Sequence, residues 1–381
     1  MLKILHTSDV HIGKAFEQFG AFGQKLRAQI KGTLARVFQL AAERRVDAVL
    51  LSGDVFDSER ISQADIKFFM DIVNSIQPTP VFFLPGTWTH DSIHQKAIFR
   101  SPHFQVSKPE NLQIFTKETA ETTKLASGRL AIHGRAVLPD SDNPLEGLTP
   151  DSRADLNILL LHTGIALPQI PEESRGSLLK REQVERCGFT YLAMGDRHTF
   201  THCFDDGKTF VQYPGSPETL QFKDGEDSGF VALVTLGESG VSVEKIRTGH
   251  YKWTELDLPW EKVGSIEALR KKVDSVADPT RVLRVKLAGT ISNDESVDAV
   301  RLAEELAPRF AYFEIDTHVL QYETPLEALQ RDYRERTVEH AFVSLLRAEL
   351  EATADAEAKR RLGEVLRRGH ALFQGIEEVT E

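Results

Sequence analysis

The sequence predicts an α/β protein: a layered core of β-sheets flanked by helices, a small second α/β domain, and a helical C-terminal tail. Three observations predict it. Short apolar runs alternate with amphipathic stretches between Leu2 and Gly86, the chain changes style at Tyr251, and only helical periodicity remains after Pro325. At 381 residues the chain exceeds one ordinary core. The expected division is 1–250 for the core, 251–324 for the second domain and 325–381 for the tail.

Residues 2–8 (LKILHTS) are short and apolar with polar bounds, as a buried strand is. In 24–44, Leu26, Ile30, Leu34, Val37, Phe38 and Ala41 recur at helical spacing. VDAVLLSGD (46–54) is the second strand, 62–76 a helix with Ile66, Phe69, Met70 and Val73 on one stripe, and VFFLPG (81–86) the third strand. Such alternation implies crossover connections and a parallel sheet. Strands resume at 156–164, 191–198 and 208–216. The run 229–246 reads as two strands joined by a turn at GESG (237–240).

In the second domain WTELDLP is extended and Ser265 N-caps a helix over 265–276. VLRVKLAG (282–289) alternates as a half-buried strand does, SNDE (292–295) is a capping box for a helix over 293–307, and YFEIDTHVL (312–320) is a strand. The tail carries one apolar stripe of Val338, Ala341, Phe342, Leu345 and Leu350. Leu362, Val365, Leu366 and Leu372 form another. Two readings stand: helices packed on their own chain, or a segment that docks a partner.

Composition narrows the class. Hydrophobic residues make up 41% and charged residues 27%, as in soluble globular proteins. The net charge of −11 gives no overall attraction to nucleic acid, so phosphate binding needs a local basic patch or bound cations. The two cysteines, Cys187 and Cys203, have no metal-type spacing and suit a reducing cytoplasm. No signal peptide and no window of ~18 apolar residues is present, so a soluble cytoplasmic protein without a membrane span is expected.

The chemistry collects at strand ends. The first strand delivers Asp9 and His11, the second Asp54, the third the stretch LPGTWTHDS (84–92), and later ones His162 and Asp196-Arg197-His198. In open α/β sheets ligands bind at such ends. In Asp9-x-His11 and Asp196-x-His198 the side chains of each pair leave on the same side and can grip one ion. Mixed Asp and His ligands suit Mn²⁺, Fe²⁺ or Zn²⁺ better than Ca²⁺.

The order D-x-H, GD, G…HD, H, GxxH resembles the calcineurin-like metallophosphoesterase superfamily. HTSDVHIG, LLSGDVFD, LPG…HDS and YPGSPETLQF resemble, more narrowly, the SbcD-type DNA double-strand-break repair nucleases. The resemblance implies a layered metallophosphoesterase core, a capping domain after RTGHYKWTELDLP, and a tail that docks an SbcC-like coiled-coil ATPase. It implies that Asp9, His11, Asp54 and His198 hold a first metal and that Asp54 and His162 belong to a second. The family's Asn is absent, with Thr89 or Thr87 offered instead, and Asp196 stands where the family has His. These departures make the second site harder and more anionic, favouring Mn²⁺ or Mg²⁺ over Zn²⁺. Alternatively, Asp196 pairs with a cation such as Arg135 and the second site is empty. His90 matches the histidine that contacts the phosphate or protonates the leaving oxygen. Asp57 and Asp91 orient metal-bound His, and Trp88 stacks on a base or fills space beside the lengthened loop.

The expected function is a two-metal, Mn²⁺-dependent phosphodiesterase acting on DNA, working with that ATPase in DNA repair and recombination. A homodimer formed through core helices is also implied, the run with Phe68, Phe69 and Met70 being a candidate. The alternatives are a phosphoesterase for small molecules or nucleotides, and a non-catalytic DNA-binding subunit with a degenerate second metal site.

Overall fold

The computed structural model describes residues 1–58, 61–86, 98, 101–136, 143–167, 178–291, 293–322, 333, 337–353 and 355–373. His90, Asp91, Thr87, Trp88 and Thr89 lie outside the described residues, as does Ser292 of the expected capping box.

Along the chain come β1 (Leu2–Thr7), α1 (Gly20–Arg44), β2 (Ala48–Ser52), α2 (Gln63–Asn74), β3 (Val81–Leu84), α3 (Pro102–Ser107) and β4 (Leu112–Ile114). There follow β5 (Glu121–Leu125), β6 (Leu130–Gly134), β7 (Leu156–His162), β8 (Gly164–Ala166), β9 (Leu178–Lys180) and α4 (Arg181–Arg186). Then come β10 (Tyr191–Gly195), β11 (Thr201–Asp205), β12 (Phe210–Tyr213), β13 (Phe230–Gly237) and β14 (Gly240–Arg247). The rest of the chain forms β15 (Lys252–Pro259), α5 (Trp260–Val263), α6 (Ile266–Asp274), β16 (Arg281–Ile291), α7 (Asn293–Leu306), β17 (Tyr312–Asp316), β18 (Leu320–Tyr322), α8 (Val338–Ala352) and α9 (Ala356–Phe373).

Two six-stranded sheets form the core, ordered β14-β13-β1-β2-β3-β4 and β11-β12-β10-β7-β6-β5. Strands β1 to β4 are parallel in the first, and β6, β7, β10 and β12 in the second. Antiparallel strands border each parallel set. The expected hairpin is present, with Gly237 paired to Gly240.

Side-chain alternation builds the layers. Ile4, Ala48, Leu50 and Phe82 pack with Ile132, Ile158, Leu160 and Tyr191 in the interior between the sheets. The alternate residues Leu5, Val49, Leu51 and Phe83 pack under Leu34, Val37 and Phe38 of α1 and Phe69 and Val73 of α2. Leu159, Leu161, Leu192 and Met194 pack with Val184 and Phe189 on the outer side of the second sheet. Phe69 and Met70, offered by the sequence as dimer contacts, are core residues under the first sheet, and Phe68 is partly buried against them.

His6 sits inside this core, hydrogen-bonded through Nδ1 to the Tyr191 hydroxyl (2.9 Å) and through Nε2 to Ser52 Oγ (3.1 Å). Burial lowers its pKa from 6.5 to about 3. Because the folded pKa lies below the unfolded one, its contribution to stability is lost as pH falls below 6.5. At pH 5 the loss is about 2 kcal/mol. Urea unfolding at pH 7 and pH 5 is expected to show that His6→Gln escapes this increment of acid destabilisation.

The chain divides into two compact units: residues 1–255 with 278–284 and 308–313, and residues 256–277, 285–307 and 314–381. The division falls within β15, β16 and β17. In the second unit Leu269 and Val273 of α6 and Ala299, Leu302 and Leu306 of α7 are buried. Ser265 caps α6 by accepting from the Ala268 amide. The run 312–320 breaks into β17 and β18, and β18 pairs in parallel with β16. In the tail α8 and α9 pair, with Val343, Leu346 and Leu366 forming a small core. This shifts the expected stripes: Val338 (76% exposed), Leu345 (69%) and Val365 (48%) face outward. Among the described residues no helix is long and apolar enough to cross a membrane.

Candidate metal centre

The centre is assembled from four strand ends. Beyond β1 and β2 the backbones stay paired, with Asp9 N donating to Gly53 O (3.0 Å) and His11 N to Asp54 O (3.0 Å). These segments leave regular geometry, and Asp9 (φ 50°), His11 (φ 55°) and Asp54 (φ 48°) are left-handed. Three non-glycine residues in that region, all carrying ligand-type side chains, store strain where positioning matters. His162 ends β7, and Asp196 (φ 101°) and His198 follow β10.

Five of the expected residues converge in two groups. Ligand atoms of Asp9, His11 and His198 lie within 4.8 Å of one another, as do those of Asp9, Asp54 and His162. Asp9 belongs to both. Asp54 Oδ2 lies 3.9 Å from His11 Nε2 and 3.7 Å from His162 Nε2, so it reaches toward both groups. Asp196 contributes to neither; its backbone N–H instead donates to the Asp9 carboxylate at 3.3 and 3.2 Å. Arg135 is engaged elsewhere, donating to the Glu118, Asn143 and Glu146 carbonyls.

Each imidazole is oriented through Nδ1. His11 donates to Asp57 Oδ1 (2.9 Å), His162 to the Ser52 carbonyl (2.8 Å), and His198 lies 3.4 Å from Asp224 Oδ2. Carbonyl and carboxylate oxygens only accept, so Nδ1 carries hydrogen and Nε2 is left to face the acids. Asp57, which the sequence offered as a partner of a His, is bonded to His11. Asp224 and the Ser52 carbonyl were missed, the first being an isolated acid in a polar stretch and the second a main-chain group with no side-chain signature. His6 is structural, held by Tyr191 and Ser52 in the core. His133 is held by Thr122 and Asn157, and His202 packs on Phe210, with neither in the two groups.

The electrostatics favour a cation. Burial raises the Asp9 pKa against the opposing charges of His162 and His198, and the neighbouring Asp54 charge adds to the rise. For His162 burial lowers the pKa, but Asp54, Asp9 and Asp196 outweigh it and hold the group at about 9. For His198 burial again opposes, and the bond to Asp224 with the charge of Asp9 carries the pKa upward. His162 Nε2 is fully buried and has no hydrogen-bond partner among the described residues. A buried imidazole nitrogen aimed at carboxylates is the donor set of a divalent cation.

A pH dependence follows. Below about 9 the metal-free His162 is protonated, and a cation must displace that proton. Metal binding at pH 7.5 is therefore expected to release a proton from this group, with affinity rising as pH climbs toward 9. Calorimetric titration with Mn²⁺ in buffers of different ionisation enthalpy measures it, and pH-independent affinity between 7 and 9 would contradict it.

Two opposed α/β sheets with Asp and His gathered at strand ends define a class of metal-dependent phosphoester hydrolases. The chain belongs to the calcineurin-like phosphoesterase family, whose model matches residues 2–200. It is 26% identical over 230 residues to the DNA double-strand break repair protein Mre11 of Saccharolobus solfataricus, covering 58% of this chain and 56% of that protein. The Mre11 of Sulfolobus acidocaldarius is 22% identical, covering 76% of each. An uncharacterised metallophosphoesterase of Bacillus subtilis, YhaO, is 21% identical over 82% of this chain and 80% of that one. The chain thus spans about half the length of the Saccharolobus solfataricus relative it matches.

Proposed function

We propose that this chain is a Mn²⁺-dependent phosphodiesterase acting on DNA, with Asp9, His11, Asp54, His162 and His198 as its ligands and an SbcC-like coiled-coil ATPase as its partner. The observation that carries this reading is the pair of Asp/His groups sharing Asp9. Divalent ions held there would supply an activated water and neutralise charge on a phosphoryl group. The protein's part is orientation: Asp57, Ser52 and Asp224 fix three imidazoles, and the main chain of Asp196 fixes Asp9. The Asp196 carboxylate, close enough to raise the His162 pKa, adds negative charge and favours a hard cation. Mn²⁺ suits mixed carboxylate and imidazole donors, Mg²⁺, Fe²⁺ and Zn²⁺ being the other ions the reading allows. His90 is assigned to protonation of the leaving oxygen, with Asp91 orienting it and Thr89 and Trp88 shaping the loop.

DNA as substrate and the ATPase as partner rest on the likeness to Mre11 proteins and to SbcD-type nucleases. Residues from 251 onward would cap the substrate and dock the partner, and the protein would act as a cytoplasmic homodimer. The test is cleavage of linear DNA and of a generic phosphodiester with Mn²⁺, by wild type, Asp54→Ala and His90→Ala. DNA cleavage lost in both variants supports the reading, and cleavage of small diesters alone would replace DNA with a nucleotide substrate. No cleavage of either, with or without an ATPase partner, would overturn it.

A further inference from the structure

A second polar site occurs in the first unit, and none of its lining residues belongs to the metal groups. A cavity of about 260 Å³ is lined by Arg247, Lys252, Arg281, Trp253, Thr219 and Glu226, among others. Its cationic heads are held in place by the protein. Arg247 donates to the Tyr251 carbonyl (3.2 Å), and Lys252 Nζ pairs with Asp278 at 2.8 Å. On the wall itself three cationic side chains, Arg247, Lys252 and Arg281, meet one carboxylate, Glu226.

Trp253 decides the sign of the ligand. It is 2% exposed, and its Nε1 has no hydrogen-bond partner among the described residues. Its ring is fixed edge-on by Phe19 (centroids 5.3 Å apart) and Phe222 (4.9 Å), so it cannot readily turn the N–H elsewhere. Indole nitrogen only donates, as do guanidinium and ammonium, and the site therefore asks for an acceptor-rich anion. A metal ion finds one carboxylate and three cations there, which excludes it.

We infer that this cavity binds a phosphate group, free or carried on a nucleic-acid backbone. Phosphate offers several acceptor oxygens to forked guanidinium donors, and the Thr219 and Thr254 hydroxyls add neutral donors on the wall. Gly225 and Glu226 of the wall belong to the turn Phe222–Asp227, whose Asp224 lies beside His198. A phosphate here would bind one turn away from a residue of the metal groups without touching those groups.

The test uses the full chain freed of metal, so its result is independent of the phosphodiesterase reading. Calorimetry is run with inorganic phosphate and, separately, with a short oligothymidylate. Saturable binding of inorganic phosphate identifies a free-phosphate site, and binding of the oligonucleotide alone identifies a backbone-phosphate site. In either case Arg247→Gln is expected to weaken binding about tenfold. Trp253→Phe, which keeps a ring and removes the N–H, is expected to weaken it several-fold. Lys67→Gln, on α2, is expected to leave it unchanged. Arg247 is exposed, so its variant decides the matter even if Trp253→Phe does not fold. Absence of binding by both probes, or binding that Arg247→Gln leaves intact or Lys67→Gln weakens equally, overturns the proposal.

Discussion

Asp9→Asn is expected to abolish divalent-metal binding at both Asp/His groups and to lower phosphodiester turnover about 10³-fold or more. Its carboxylate is the component common to the two groups, so removing its charge weakens both together. Asn keeps the shape and tolerates the left-handed backbone that Asp9 adopts at φ 50°. The fold should therefore survive. In the metal-free protein the substitution removes a buried charge but also its attraction to His162 and His198, so the two effects oppose each other. Thermal unfolding with and without Mn²⁺ separates fold from metal binding: the variant should unfold cooperatively without metal and gain nothing when metal is added. A variant that still binds Mn²⁺ with wild-type affinity would show that Asp9 is not a shared ligand.

Gly53→Ala is expected to cost roughly 3–5 kcal/mol and to disable the metal centre together with the fold around it. Gly53 has φ 89°, where a side chain is strained, and an added Cβ would overlap the His162 ring at Nδ1. The same ring holds the Ser52 carbonyl at 2.8 Å, so the methyl group would push apart β2 and β7 or drive His162 from the acids. Gly86→Ala meets a comparable obstacle, since its Cβ would overlap Asp54 Oδ1. Chemical denaturation and Mn²⁺ titration of Gly53→Ala check both parts of this expectation, and wild-type stability with intact metal affinity would refute it.

Much of this architecture is legible in the sequence. The runs that become β1, β2, β3, β7 and β10 are continuous and apolar because parallel strands are buried on both faces. For the same reason nothing in them shows that they divide between two sheets rather than joining one. The order of Asp9, His11, Asp54, His162 and His198 is visible because each follows such a run. Left-handed backbone at Asp9, His11 and Asp54 is not visible, since it arises from pairing between segments beyond the regular strands. Asp196 shows the limit most clearly. Its place in the motif marks its side chain as a candidate ligand, and nothing in the sequence signals that its backbone at φ 101° also presents an N–H to Asp9. The tail shows another limit. Of the stripe Val338, Ala341, Phe342, Leu345 and Leu350, Phe342 and Leu350 pack beside Val343, Leu346 and Leu366, whereas Val338 and Leu345 face outward.

The most direct measurement is the anomalous diffraction of crystals soaked in Mn²⁺. Two peaks are expected, one among Asp9, His11 and His198 and the other among Asp9, Asp54 and His162, both within ligand distance of the Asp9 carboxylate. Peaks elsewhere, or none at these residues under conditions where the protein cleaves phosphodiesters, would contradict the account.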